Sequence, residues 1–205
     1  MSKVHTEYLP AAGRDWLLPL YDPLTWLFGV ESAHLRLADQ AALRPGQRVL
    51  EVGCGTGNLL LLAKRLQPKA ELTGLDPDPK ALSRARAKAA RKGLRVTLDR
   101  GFGGALPYDD EGFDRVLSAF MFHHLDEAEK ARTLREVARV LKPGGSLHLV
   151  DFASAHGPMK RRTAANAGDA IPAAMRDAGL GDAYEIARAR SRVHGEYAFF
   201  RAHRE

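Results

Sequence analysis

At 205 residues the chain suits one α/β domain with an ample core and leaves little room for a second. A formal charge of +6 and a pI of about 9.6 would suit an anionic substrate, a membrane surface or nucleic acid. No apolar run nears the roughly 20 residues that span a bilayer, and no signal-peptide pattern opens the chain. The single cysteine, Cys54, excludes an intramolecular disulfide or a cysteine-based zinc cluster, so no metal is called for and a reducing cytoplasm is the simplest setting.

Residues 1–43 precede the first expected strand and are dense in aromatic and aliphatic side chains broken by prolines, among them Tyr8, Trp16, Tyr21, Trp26 and Phe28. Ser32 to Leu43 reads as a helix with Ser32 as its N-cap. Such a segment ahead of a cofactor fold serves as a lid, as an interfacial membrane contact or as ordinary packing, and all three readings stay open here.

The chain is organised around Arg48 to Asn58, where Val49-Leu50-Glu51-Val52 runs into Gly53-Cys54-Gly55-Thr56-Gly57 and then the apolar run Leu59 to Leu62. A strand, a glycine turn and a helix N-terminus form a ready site for a nucleotide-like ligand, because the backbone approaches closely and free N–H groups face it. The bland alternative is a structural strand–helix turn. A dinucleotide fingerprint would need a third glycine where Asn58 stands, which argues against a nicotinamide-dependent dehydrogenase. Cys54 reads as a compact residue lining the turn and not as a nucleophile.

Asn58 to Leu66 reads as a helix closed by Pro68, and Ala70 to Leu75 as a second strand ending at Asp76. A carboxylate at that tip can accept from both ribose hydroxyls of a nucleoside. Its alternative role is to cap the helix Lys80 to Lys92, a job that Asp78 fits better with Pro79 at the first helical position. Arg84 to Arg100 is a basic run of the kind that forms the wet face of a helix.

Arg95 to Arg100 suggests a third strand and Phe113 to Phe120 a fourth, followed by Met121-Phe122-His123-His124-Leu125. Asp126 is placed to cap a helix from Glu127 to Leu141, whose apolar positions recur at helical spacing. Lys142 to Gly145 reads as a turn and Ser146 to Asp151 as a fifth strand. Gly157 to Ala165 is polar and basic, Asp169 to Ala178 is helical in pattern, and Tyr184 to Arg192 with Glu196 to Arg201 suggests two final strands joined near His194-Gly195. The alternation of strands and helices argues for a doubly wound parallel sheet, with ligand at the carboxyl ends of its strands. His123 and His124, just past the fourth strand, have a side chain suited to deprotonating an acceptor near neutral pH. Structural packing is the competing role for either ring.

Three pieces of wording then converge. Glu51-Val52-Gly53-Cys54-Gly55-Thr56-Gly57, Phe113-Asp114 and Leu141-Lys142-Pro143-Gly144-Gly145 resemble the class I S-adenosylmethionine (SAM) methyltransferases. Tyr21-Asp22 and Leu24, with Arg139 to Gly145, are similar to the ubiquinone/menaquinone C-methyltransferase branch, although Thr25 replaces its asparagine and its histidine is displaced to His34. The resemblance implies a seven-stranded, mostly parallel Rossmann-like sheet, an N-terminal helical lid over 1–43 and a SAM-binding domain over 44–205. It implies a SAM site made of Tyr21, Glu51, Gly53, Cys54, Gly55, Gly57, Asp76, Pro77, Phe102, Gly103, Ala119 and Phe120. Phe102 stands where the family commonly has an acid that reads the adenine amino group. The acceptor side would then comprise Tyr8, Trp26, His123 and Asp151, with His123 and His124 as candidate bases.

A small-molecule methyl acceptor is the leading expectation, in a monomer or homodimer. A nucleic-acid partner is not expected, because Ala119-Phe120-Met121-Phe122 stands where base-amine methyltransferases carry N/D-P-P-Y/F. Phospholipid methylation at a membrane surface and SAM binding without catalysis remain as alternatives.

Overall fold

The computed structural model describes residues 30–154, 168–191 and 195–205. Tyr8, Tyr21 and Trp26, residues 1–29 of the expected lid, the basic stretch 157–165 and His194 lie outside the described residues.

One seven-stranded sheet holds the molecule together. Its strands are β1 (Arg48–Val52), β2 (Glu71–Asp76), β3 (Thr97–Arg100), β4 (Phe113–Ala119), β5 (Leu141–Ser154), β6 (Gly181–Ser191) and β7 (Gly195–His203). They lie in the order β3-β2-β1-β4-β5-β7-β6. The first five run parallel, and β7 inserts antiparallel between β5 and β6. The chain thus winds outward from β1 to β3 and returns to lay β4 beside β1, which opens a crevice at their carboxyl ends.

Helices cover both faces, giving the expected α/β doubly wound fold. On one face α1 (Val30–Ala41) and α2 (Asn58–Leu66) bury Leu37, Ala38, Leu59 and Leu60 against Val49, Leu117, Val150 and Phe199. On the other, α4 (Glu127–Val140) and α5 (Ala170–Asp177) bury Leu134, Val137, Ile171 and Met175 against Leu50, Val116, Leu147 and Phe200. Between them in the chain, α3 (Pro79–Arg91) packs along β2 and β3. Each large core side chain buried here contributes about 1.5–3 kcal/mol relative to exposure.

Local chemistry explains where the elements begin. Asp78 caps α3 by accepting from the Lys80 N–H at 2.8 Å, with Pro79 at the first helical position. Asp126 caps α4 in a reciprocal box with Glu129. Ser32 is not an N-cap, contrary to expectation: the chain is already helical at Val30, which places Ser32 inside α1.

A second departure concerns β5. The expected turn at Lys142 to Gly145 lies inside one long strand, as an irregularity where Phe113 pairs with Leu141 but Arg115 with Ser146. Gly144 and Gly145 exchange backbone hydrogen bonds with Arg204, so the segment stays in the sheet. The acidic member of the Phe113-Asp114 pair anchors this irregularity: Asp114 accepts from the Lys142 ammonium at 2.8 Å and from the Arg48 N–H at 2.7 Å. Burial pushes the Asp114 carboxyl up, yet these partners hold it below the usual carboxylate range.

Candidate active site

The β1–α2 turn curls over the tip of β2. Gly53 (φ +76°), Gly55 (φ +50°) and Gly57 (φ +79°) all take left-handed backbone conformations. Gly53 has a second reason to be glycine, because a Cβ there would overlap the Met121 side chain. The segment after β4 is therefore packed directly on the glycine loop. The Gly53 and Cys54 N–H groups both donate to the Leu75 carbonyl, at 2.8 and 3.0 Å, which ties the loop to the end of β2. Cys54 is buried, and burial beside Glu51 and Asp76 pushes its thiol up.

Asp76 is 9% exposed at the tip of β2. One carboxylate oxygen accepts from the Gly55 N–H at 2.8 Å and the other from the Asp78 N–H at 2.9 Å. Asp76 thus shapes the loop from its place at the tip of β2, a role that strand spacing alone does not reveal. Two carboxylate oxygens offer about four acceptor positions, so two bonds leave room for a pair of hydroxyls. Burial raises its pKa, and the N–H groups of Asp78 and Gly55 oppose that rise.

Glu51 lies 2% exposed within β1. Burial and the nearby Asp76 charge push its carboxyl well up, while the Leu60 N–H in the first turn of α2 offsets part of that. Its Oε2 is buried with no hydrogen-bond partner among the described residues. An orphaned carboxylate oxygen beside a glycine loop suits a cationic ligand group.

Just past β3, Phe102 is 39% exposed and forms an isolated backbone bridge with Ala105. Gly103 packs so closely on Val52 and Thr133 that a Cβ would displace them. Pro77 gives its carbonyl to the Arg100 side chain at 3.2 Å. A contact unforeseen from sequence comes from α3: Lys88 donates to Thr56 at 2.9 Å and to Asn58 at 2.8 Å, clamping the far end of the loop.

Across the switch point, Ala119 ends β4 and Phe120 follows at φ +53°, a strained conformation for a bulky residue. The Phe120 N–H donates to the Val150 carbonyl at 2.8 Å, which helps hold it there. Its ring meets Phe152 (centroids 4.9 Å apart), Tyr197 (5.8 Å) and His34 of α1 (6.2 Å). Burial lowers the His34 pKa to about 4, so its imidazole is neutral at physiological pH.

His123 and His124 occupy a single 3₁₀ turn, Phe122–His124, with ring centroids 4.0 Å apart. Asp151 lies behind His123: its Oδ1 is 2.8 Å from His123 Nδ1, its Oδ2 accepts from the His123 N–H at 3.1 Å, and Phe152 N–H donates to Oδ1 at 2.6 Å. Burial opposes the Asp151 charge, but the His123 ring and these N–H groups bring its pKa below the ordinary value. Asp151, read from sequence as an acceptor contact or a cap for the following turn, is buried within β5 with its carboxylate on the His123 ring and on the His123 and Phe152 N–H groups.

The structure therefore packs the segment after β4 on the glycine loop through Met121 and Gly53, ties that loop to Asp76 through Gly55, and sets Gly103 against Val52. Among the described residues no cluster of metal-binding side chains occurs, and no helix is long and apolar enough to cross a membrane.

Comparison with known proteins agrees with this geometry. Residues 49–145 match a family model described as a methyltransferase domain. The chain is 40% identical over 139 residues to a demethylmenaquinone methyltransferase of Thermus thermophilus, covering 66% of this chain and 62% of that protein. It is 32% identical over 154 residues to a 2-phytyl-1,4-naphtoquinone methyltransferase of Synechococcus elongatus, covering 72% and 65% respectively. The chain thus spans less than two thirds of these relatives' length. Among solved structures, the [4+2]-cyclase SpnF superimposes with a TM-score of 0.72 at 21% identity, over 85% of this chain and 81% of that one. That likeness speaks for the fold alone. The glycine loop, the sheet order and the sequence matches together make this chain a member of the class I SAM-dependent methyltransferases, similar in wording to the quinone C-methyltransferase branch.

Proposed function

We propose that the protein transfers a methyl group from SAM to a small aromatic acceptor related to quinones. The observation that carries the donor half is the paired arrangement of Asp76 on the Gly55 N–H and the orphaned Glu51 oxygen beside the same loop. The residues fit SAM: Asp76 would hold the ribose hydroxyls, Glu51 and the loop from Gly53 to Gly57 the charged methionine end, and Phe102 with Gly103 the adenine. When bound, SAM would supply an electrophilic methyl group on a sulfonium.

The chain's own contribution is placement and exclusion of water. A methyl donor of this kind leaves as a neutral thioether, so no acid is needed and alignment of the reactants dominates. The ring cluster of Phe120, Phe152 and Tyr197 supports an aromatic acceptor, since ring faces and edges favour one another at these spacings. The names of the relatives point the same way.

Calorimetric titration with SAM, beside transfer of labelled methyl to 1,4-naphthohydroquinone, tests the reading. Binding should be saturable, and Asp76→Ala should weaken it by about 1–3 kcal/mol, the loss for removing a buried acceptor. Absence of binding to the unaltered protein would refute the proposal.

A further inference from the structure

The pairing of His123 with Asp151 remains after the donor site is accounted for. We propose that Asp151 positions His123 as the base that takes the proton an electron-rich aromatic hydroxyl compound gives up on methylation. This rests on the methyltransferase reading above.

The geometry defines the roles. An ionised Asp151 can only accept, so at 2.8 Å the proton between them sits on His123 Nδ1. In a neutral ring that leaves Nε2 with its lone pair available. The backbone bond from His123 N–H to the same carboxylate fixes the residue as well as the ring, and Phe152 packs edge-on against it at 5.1 Å. The turn bearing His123 begins at Met121, whose side chain lies on Gly53 of the donor loop. The base is therefore carried by the segment that touches both halves of the crevice.

Among the described residues, two further titratable groups lie near the pair. His124 stacks on His123, and Lys130 of α4 lies near enough to Asp151 for the carboxylate to favour the ammonium against burial. A proton arriving at His123 forms an imidazolium against a buried carboxylate, which stabilises it. In the balanced step, a bond forms between the acceptor carbon or oxygen and the methyl carbon as the carbon–sulfur bond breaks. The sulfur keeps that electron pair, and the acceptor's proton moves to His123 Nε2 and then to water.

Two readouts test this. In histidine-labelled protein holding S-adenosylhomocysteine, nitrogen NMR should show His123 protonated at Nδ1, and Asp151→Asn should mix the tautomers. With 1,4-naphthohydroquinone and catechol as acceptors, Asp151→Asn and His123→Gln should each lower kcat at least 100-fold. SAM affinity should stay within threefold. Lack of SAM binding would sink the methyltransferase reading. If SAM binds, three results would each overturn the present proposal: an Nε2–H tautomer in the unaltered protein, turnover within threefold in both variants, or no methylation of either acceptor.

Discussion

On the β1–β2–β3 side of the switch point, backbone N–H groups and two carboxyls gather within residues 51 to 78. On the β4–β5–β7 side, rings from His34, Phe120, His123, Phe152 and Tyr197 pack on one another. The first side needs left-handed glycines and fixed dipoles, which tolerate little change. The second is an assembly of side chains whose outline can change while the fold stays. A common donor with varied acceptors is what such a division favours.

The sharpest way to break the comparison is at Gly53. A side chain there must adopt φ +76° and overlap Met121, so the loop and the post-β4 turn would both have to move. Gly53→Ala should cost about 3 kcal/mol or more in affinity for S-adenosylhomocysteine, read by calorimetry, with the circular-dichroism spectrum retained. Equal binding would show that the donor side is as pliable as the acceptor side.

What could be read in the sequence follows the same division. Gly53 to Gly57, Asp76, Asp78 and Asp126 are local signals, each set by the backbone within a few residues, and the structure places them as expected. The strand and helix order was legible for the same reason. The Asp151–His123 pair spans 28 positions and depends on which way β5 turns its side chains. The contacts of Phe120 with His34 and Tyr197 join α1, β4 and β7, and no short-range pattern announces them. Lys88, one of many basic residues on α3, differs from its neighbours only through the fold that brings it to Thr56. Ser32 shows the converse, a good capping residue overridden by a helix that is already under way at Val30.

A smaller effect, of opposite sign for binding and stability, is expected at Glu51. Its folded-state pKa is raised above the ordinary 4.5, so the folded protein holds the proton more tightly than the unfolded chain. Stability from this group is therefore lost as pH rises above about 4.5 toward the folded value. Glu51→Gln removes the titrating carboxyl, so it should abolish this loss and raise stability at pH 7 by about 1 kcal/mol, or Tm by about 2–4 °C. Donor affinity should fall in the same variant. Melting curves from pH 4 to 8 check the first part and calorimetry the second. A variant that is less stable at pH 7 would mean that Glu51 serves the fold.

The mildest change is expected where the wording is most family-like and yet remote from the crevice. Asp114 and Lys142 belong to two of the segments that carry the resemblance, but their pairing pins the β5 irregularity to β4 and touches neither donor nor acceptor residues. The lowered Asp114 pKa contributes stability above the unfolded value of 3.8, lost as pH falls through the folded value. Lys142 is partly exposed, so solvent screening keeps the contribution small. Asp114→Asn should cost about 0.5–1 kcal/mol at pH 7 in a denaturant titration, and it should flatten the loss of stability below pH 4. Affinity for S-adenosylhomocysteine should not change. A binding defect would mean that this end of the sheet is coupled to the crevice through β4, and that the two sides share more than a backbone.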